Sequence, residues 1–217
     1  MDILYQDDSL IAVNKPSGLL TIRDGYNPDL PTVKSILEIE HGRCWIVHRL
    51  DKETSGVLLV ARNEKTHKIL NQAFEEHRIQ KTYHAIVYGV PPELKFTISS
   101  PLKVDGDRKH RTVVDMEKGK PAKSIIVVLK SFTSYSLVEI KPETGYTHQI
   151  RAHLSSAGFP LLGDKLYQKP SLPQTDLISR TALHAFQLTF EHPVTRSTTT
   201  IQADYPQDFS TALTTLK

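Results

Sequence analysis

The nine residues HRLDKETSG, numbered 48 to 56, place several ionisable side chains in a gap between two apolar runs. WIV comes directly before this segment, and VLLVA follows it. A two-residue hairpin turn favours Asn-Gly or Asp-Gly, whereas this connection is longer, alternates cations with carboxylates and closes on Ser55-Gly56. Two interpretations are open: an ordinary solvated loop, or a loop that presents one charged group to a binding partner.

The motifs that hold common cofactors do not occur in the sequence. Neither GxxxxGK[ST] nor GxGxxG is found, so an ATPase phosphate loop and a dinucleotide fold have no support. HExxH and CxxC are absent and the ten histidines are scattered, so we expect no metal site. The GxSxG nucleophile motif is also missing. We therefore expect any catalysis to use ordinary side chains without a cofactor.

The elements that must position this loop are mainly strands. Alternating or β-branched segments predict strands at 9–16, 44–49, 56–62, 81–89, 122–132, 135–142, 181–190 and 197–204. Three or four helices are predicted: 32–41 between Thr32 as cap and Gly42 as stop, 64–77 after Asn63, 147–157 before Gly158, and 207–216. Strands outnumber helices and many connections are short, which favours an α+β fold with a mainly antiparallel sheet. Without repeats or linkers, we expect one domain, 1–217.

Composition points to a globular protein of the cytoplasm. Of the 217 residues, 39% are hydrophobic and 24% are charged. No apolar run approaches the roughly 20 residues that span a bilayer, and the N-terminal residues have no signal-peptide pattern. The single cysteine, Cys44, excludes an internal disulfide and fits a reducing compartment. We expect a monomer with no membrane contact.

Positive charge is concentrated in one stretch of the chain. From Lys103 to Lys130 there are eight Lys or Arg against four Asp or Glu, an excess of +4, compared with +3 for the whole chain. A basic loop at 103–121, which includes Arg108, Lys109 and Arg111, can contact the phosphates of a nucleic acid. A solvated hairpin is the alternative.

Six segments together resemble the RluA family of pseudouridine synthases, whose core signature is HRLDxxTSG. They are NKPSG (14–18), HRLDKETSG (48–56), KTYHAIVYG (81–89), ETGYTHQIRAHL (143–154), LLGDKLY (161–167) and ALHAFQLTFEHP (182–193), in the family's order. The resemblance implies a mixed, mainly antiparallel sheet with flanking helices and a central active-site cleft. NKPSG begins almost at residue 1, so we expect a member without the N-terminal RNA-binding domain of larger relatives.

The resemblance also implies a reaction. The family isomerises uridine in RNA by breaking the N-glycosidic bond, turning the base and rejoining it through carbon, without metal or cofactor. Its essential carboxylate matches Asp51 in this sequence. A carboxylate beside a ribose can attack an electron-poor carbon, stabilise positive charge on the sugar or remove a sugar proton. The sequence does not choose among these, and capping a turn is the usual structural role of such an aspartate.

Three further residues match substrate-binding positions of the family. Arg151 matches the arginine that pairs with the catalytic carboxylate, Tyr83 matches the tyrosine that stacks on the target base, and Arg49 matches the residue that takes the vacated place in the RNA. The structural alternatives are a surface arginine on a helix, a packed core ring and a solvated strand end. Lys15 either lines the same cleft or supports the backbone near Pro16, and we expect His48 to shape the loop.

The partner implied by the resemblance is ribosomal or transfer RNA, modified within a stem-loop. Two other functions use the same observations: an inert RNA-binding protein that keeps the fold, and a nucleoside hydrolase. Glycosidases generally pair two carboxylates across the bond that they cleave, and only Asp51 is placed by a motif here. A pure RNA binder would not require Asp51, Tyr83 and Arg151 together.

Overall fold

A computed structural model of the chain describes residues 1–25, 27–168, 170–173 and 175–217. The chain forms two compact units. The first unit comprises Met1–Lys81 and His184–Tyr205, and the second comprises Thr82–Leu183 and Pro206–Lys217.

The first unit contains six strands: β1 (Asp2–Gln6), β2 (Leu10–Lys15), β3 (Trp45–Ile46), β4 (Ser55–Ala61), β11 (Leu183–Glu191) from its second residue onward, and β12 (Thr198–Gln202). β2 lies between β1 and β4, and β12 lies beside β11, all in antiparallel pairs. β3 pairs antiparallel with the end of β4, while β11 pairs in parallel with its start at Ser55 and Gly56. All seven residues of β4 are buried, as expected for a central strand.

The second unit contains an antiparallel sheet and a small hairpin. The sheet has the order β5 (Gln80–Tyr88, from Thr82 onward), β10 (Tyr135–Pro142), β9 (Ser124–Ser131) and β6 (Lys95–Ile98). The hairpin pairs β7 (Leu102–Lys103) with β8 (Val113–Val114). Alternate residues of β10 are buried, which is the pattern of a sheet with one face on a core.

Four helices flank these strands, with bounds set largely by their caps. α1 (Val33–His41) begins with a reciprocal capping box between Thr32 and Ser35 and ends at Gly42, where φ is +71°. α2 (Glu64–Glu75) begins at Asn63, whose side chain accepts a hydrogen bond from the Thr66 amide. The other two helices are α3 (Gln149–Ser156) and α4 (Gln207–Thr215).

Each unit has its own apolar core. In the first, Leu70 and Ala73 of α2 pack with residues of β2 and β4. In the second, Ile150 and Leu154 of α3 pack on β5 and β10. Six consecutive α3 residues, Gln149 to Leu154, are buried, so polar side chains of this helix must find partners inside the protein.

The predicted fold class, α+β with a mainly antiparallel mixed sheet and flanking helices, is confirmed. The single domain and the central cleft remain predictions. Within the described ranges, every helix is too short or too polar to cross a membrane.

Candidate active site

Asp51 lies on the loop between β3 and β4 and is half-buried. Its carbonyl accepts a hydrogen bond from the Thr54 amide at 3.1 Å, so the chain turns immediately after it. Thr54 and Ser55, which follow this turn, are buried, and β4 begins at Ser55. Asp51 is therefore carried on a short turn attached to the most buried strand of the first unit.

The NKPSG segment holds this turn on one side of Asp51. The Lys52 carbonyl accepts hydrogen bonds from the Gly18 amide at 2.8 Å and from Lys15 Nζ at 3.1 Å. The Glu53 carbonyl accepts one from Ser17 Oγ at 2.8 Å. These bonds tie two of the signature blocks into one structure.

Thr21 holds the other side of the turn. Its hydroxyl donates to the Leu50 carbonyl at 3.0 Å and accepts from the Leu50 amide at 3.2 Å. The backbone is thus fixed at the residues before and after Asp51, and a backbone fixed in this way restricts where the carboxylate can point.

Lys15 supports the backbone of this region. Its side chain is completely buried, and Nζ donates to the carbonyls of Pro16, Leu19 and Lys52 at 2.8–3.1 Å. A buried ammonium needs such acceptors, because transfer from water without them is costly. The contacts agree with the structural interpretation of this lysine.

His48 also shapes the loop, as expected. Its ring stacks on Phe74 with centroids 4.6 Å apart, and Nε2 accepts a hydrogen bond from the Leu59 amide at 2.9 Å. Burial, reinforced by the positive charge of Lys81, lowers the pKa of His48 to about 3. A neutral ring is the form that this hydrogen bond requires, since a protonated nitrogen cannot accept.

Arg49 follows on the same loop and is exposed. The side chain of its neighbour Leu50 is buried, whereas that of Arg49 points to solvent. Exposure is what a residue that enters RNA requires, although it is equally the property of a solvated strand end. The entry of Arg49 into RNA stays a prediction.

Tyr83 lies on β5 opposite Ile140 of β10. It is half-buried and packs against the cluster that contains Ala85 and Val87, in agreement with the packed-ring interpretation, while its stacking on a base stays a prediction. Packing of this kind fixes the plane of the ring while part of its surface stays accessible.

Arg151 lies in the first half of α3 and forms a buried ion pair with Asp164. Nε and Nη2 donate to the two carboxylate oxygens, each at 2.7 Å, and the two side chains are 9% and 0% exposed. This bidentate geometry fixes the direction of the guanidinium. It also rules out the surface-arginine alternative.

Asp164 is a residue whose role the sequence did not reveal. It belongs to the LLGDKLY segment, and it also accepts hydrogen bonds from the Leu166 and Tyr167 amides, at 3.1 and 3.2 Å. An aspartate after a glycine is typical of a turn, and only the tertiary structure brings it to Arg151. The one indication of its importance in the sequence is its place in a segment that the family shares.

Two further side chains fix α3 itself. The Gln149 amide group donates to Ser124 Oγ at 3.1 Å, and that hydroxyl contacts His153 Nδ1 at 2.9 Å. His153 Nε2 lies 2.9 Å from the Ser100 carbonyl, which can only accept, so Nε2 carries the proton and Nδ1 accepts from Ser124. Burial lowers the pKa of His153, in keeping with this neutral tautomer.

The site residues predicted from the sequence fall into two groups. Asp51 and Arg49 share one loop of the first unit, while Tyr83 and Arg151 belong to the second. The pairing of Arg151 with Asp51 stays a prediction. Among the residues that the structure describes, no cluster of three or more His, Cys, Asp or Glu side chains could hold a metal ion.

Comparison with known proteins identifies the family. The model of the RNA pseudouridylate synthase family matches residues 9–156. The dual-specificity RNA pseudouridine synthase RluA of Pasteurella multocida is 36% identical over 197 residues, which cover 90% of this chain and 89% of that protein. The ribosomal large subunit pseudouridine synthase D of Neisseria meningitidis is 34% identical and is matched over 100% of this chain but 61% of its own length.

Solved structures agree with this match. The structure of human RNA pseudouridylate synthase domain containing 4 has a TM-score of 0.81 at 27% identity, covering 98% of this chain and 91% of that one. Human RNA pseudouridylate synthase domain containing 1 has a TM-score of 0.78 at 29% identity, covering 94% and 83%. The chain belongs to the RluA family of RNA pseudouridine synthases and is an isomerase of uridine in RNA.

Proposed function

We propose that Asp51 is the catalytic carboxylate of this isomerase. Arg151 pairs with Asp51 and orients it, and Tyr83 stacks on the uracil. Arg49 enters the RNA where the flipped uridine leaves a gap. The observation that carries the proposal is the backbone of the signature loop, which is hydrogen-bonded on both sides of Asp51 by Thr21 and by the NKPSG segment.

The chemistry of the reaction requires one well-placed anion. The bond from N1 of uracil to C1′ of the ribose breaks, C5 of the turned base bonds to C1′, and the proton leaves C5 while N1 gains one. Asp51 serves the step that weakens the first bond, by attack on the sugar, by stabilising positive charge on it or by removing a sugar proton. No group outside the protein and the RNA is required.

The side chains proposed to act with Asp51 are supported by the contacts around them. Asp164 occupies Nε and one Nη of Arg151 in a bidentate pair, which fixes the direction of the guanidinium before RNA binds. Tyr83 packs on the core of its unit, and a preorganised ring can stack on a base at little cost in side-chain entropy. A uracil inside a helix is unreachable, so the enzyme must extrude it.

The proposed substrate is a stem-loop of ribosomal RNA, transfer RNA or both. Bases in RNA loops are already partly unstacked and are therefore easier to flip than bases in a duplex. Relatives are named for dual specificity and for the large ribosomal subunit. In the basic loop 103–121, Arg108 and Lys109 are exposed and can reach phosphates.

We further propose a monomer that acts in the cytoplasm. Cys44 is buried as a free thiol, and burial, together with the negative charge of Glu38, raises its pKa to about 11. A thiol of this kind fits a reducing compartment, since it neither needs a disulfide nor reacts readily. Light scattering of the purified chain would measure its mass directly, and a dimer would contradict the monomer.

The experiment that tests the proposal removes the charge of Asp51 alone. Asp51→Asn keeps the size and polarity of the side chain, and we expect uridine isomerisation to slow by at least about 10³-fold. Tritium release from RNA labelled at uridine C5 measures the rate. Binding of the same RNA should change little, because phosphate contacts supply most of the affinity.

Asp8→Asn is a matched control, since Asp8 is an exposed carboxylate of the same unit and lies outside the signature loop. This variant should turn over like the parent. If Asp51→Asn retained a rate within tenfold of the parent while Asp8→Asn behaved normally, the assignment of Asp51 would be wrong.

A further inference from the structure

Two guanidinium groups lie over the ring of Tyr167. The Cζ atom of Arg151 is 5.0 Å from the ring centroid, and that of Arg111 is 5.8 Å from it. Tyr167 is only 6% exposed and the Arg151 side chain 9%, so the contact between these two forms in a largely desolvated environment, where cation–π attraction is strongest. Each arginine also has its own carboxylate: Asp164 for Arg151 and Asp107 for Arg111, at 2.7 Å in both cases.

The Tyr167 hydroxyl is fixed as firmly as the ring. It accepts a hydrogen bond from the Thr112 amide at 2.9 Å and donates to the Thr112 carbonyl at 3.1 Å. His148 Nδ1 lies 3.2 Å from the same oxygen and must donate to it, because the only hydroxyl proton is used by the carbonyl. Burial raises the pKa of Tyr167 to about 12, so the phenol keeps the proton that this network needs.

The backbone around Tyr167 joins the hairpin to α3. Arg111 Nη1 donates to the Leu166 carbonyl at 3.1 Å, and Ser155 Oγ of α3 donates to the Tyr167 carbonyl at 2.9 Å. Arg111 and Thr112 directly precede β8. A displacement of the β7–β8 hairpin would therefore move the ring over which Arg151 lies.

Arg111 thus differs from the other cations of the basic loop. The sequence grouped it with Arg108 and Lys109 as a phosphate contact. Arg108 and Lys109 are exposed, whereas Arg111 is half-buried and bonded to Asp107, Leu166 and the Tyr167 ring. An arginine whose donors and face are used in this way has little left to offer a phosphate.

We propose that Tyr167 is a positioning residue for Arg151 and that Arg111 holds Tyr167 in place, so that the β7–β8 hairpin sets the orientation of the Arg151 guanidinium. Asp164 fixes the direction of the guanidinium within its plane, and the Tyr167 ring fixes the tilt of that plane. The inference rests on the role proposed above for Arg151. The basic loop then has two parts. Arg108 and Lys109 are exposed and contact RNA, and Arg111 is half-buried and positions Tyr167.

The test compares variants that remove different parts of the network. Tyr167→Leu removes ring and hydroxyl, and Tyr167→Phe removes the hydroxyl alone. Single-turnover rates at saturating RNA should fall about 10- to 100-fold for Tyr167→Leu and less for Tyr167→Phe, because small errors in position cost rate steeply. Arg111→Gln should also lower this rate while it leaves the salt dependence of RNA binding unchanged.

Tyr88→Phe is the matched control. Tyr88 is another buried tyrosine of the second unit, whose hydroxyl donates to the Pro173 carbonyl at 2.9 Å and accepts from Gln168. This variant should keep the parent rate. If a thermal scan showed no unfolding transition for Tyr167→Leu, the rates of Tyr167→Phe and Arg111→Gln would be compared with the parent instead.

A double-variant cycle separates positioning from general structural support. In an Arg151→Met background, adding Tyr167→Phe or Arg111→Gln should slow the reaction by less than about twofold more, because the group through which they act is gone. Losses that simply multiply would overturn the inference and leave the role of Arg151 intact. An Arg151→Met variant as fast as the parent would instead overturn the proposed role of Arg151, and this inference with it.

Discussion

At the scale of single residues, the site depends on buried polar groups that serve the backbone. The Lys15 ammonium is completely buried and contacts three main-chain carbonyls, one of which belongs to the residue after Asp51. A buried carbonyl that is left without a donor costs about 1–3 kcal/mol. The Lys15 charge, which the sequence would also allow to line the cleft, therefore stabilises the backbone of the loop.

His48 carries a prediction about acid stability. Its pKa in the folded protein is about 3, compared with about 6.5 for a free histidine. Between these values the unfolded chain binds a proton that the folded chain does not, so stability falls as the pH falls through this window. In His48→Gln, the side-chain oxygen can accept from the Leu59 amide and does not titrate.

Between about pH 7 and about pH 4.5, the unfolding free energy of the parent should fall by about 2–3 kcal/mol more than that of His48→Gln. Urea unfolding at the two pH values measures this difference. His67→Gln serves as control, because His67 is a half-buried histidine of α2 whose Nε2 lies 2.9 Å from the side chain of a helix neighbour, Asn71. Equal acid losses in the parent and in His48→Gln would contradict the neutral, buried acceptor.

At the scale of elements, local signals predicted the helices well. Thr32, Asn63 and Gly42 act as the sequence predicted, and the helices predicted at 32–41 and 207–216 are found at 33–41 and 207–215. The helix predicted at 147–157 begins two residues later, because His148 adopts a left-handed conformation with φ of +54°. No local pattern predicts that conformation for a histidine, since it depends on the surrounding structure.

The strands that the sequence missed have weak local signals. β1 is a half-exposed strand with polar residues at both ends, β6 has four residues, and β7 and β8 have two each. Short strands of this kind are stabilised by their pairing partners rather than by intrinsic preference. The sequence located the Asp51 loop by its motif. It could not reveal the roles of Asp164 and Tyr167, because their partners lie elsewhere in the chain.

Gly56 provides a prediction about the start of β4. Its φ is +114°, and a Cβ atom here would overlap the main chain of Ala185 in β11. Gly56→Ala therefore combines an unfavourable backbone conformation, about 1–2 kcal/mol, with overpacking of about 1–3 kcal/mol. Gly158→Ala is the matched control, because Gly158 also has a positive φ, +91°, but open space around it.

Chemical denaturation of both variants tests the difference. The unfolding free energy of Gly158→Ala should fall only by the cost of the backbone conformation. That of Gly56→Ala should fall clearly more, because overpacking against β11 adds to it. Equal losses for the two glycines would mean that the close approach of β4 and β11 is not required for stability.

At the scale of the whole molecule, the chain must bind RNA with a modest net charge of +3. Only local concentrations of positive charge can then attract phosphates. The basic loop 103–121 has such an excess of charge, and its Arg108 and Lys109 side chains are exposed. We expect Arg108→Gln with Lys109→Gln to weaken RNA binding and to reduce its log–log salt slope by about 1.5, for two lost phosphate contacts.

Filter binding at several salt concentrations measures the slope. The reaction rate at saturating RNA should stay unchanged in this double variant, in contrast to Arg111→Gln. Replacing Lys65 and Lys68, two exposed lysines of α2, controls for the loss of two charges elsewhere. A slope that changed equally in both double variants would show that the basic loop has no special part in binding.

The most direct test of the central claim maps pseudouridines in total RNA. Cells that contain the parent protein are compared with cells that lack it and with cells that contain only Asp51→Asn. We predict a defined set of modified uridines in stem-loops that is present with the parent and absent in the other two. Restoration of those sites by Asp51→Asn, or an unchanged map without the protein, would contradict the account.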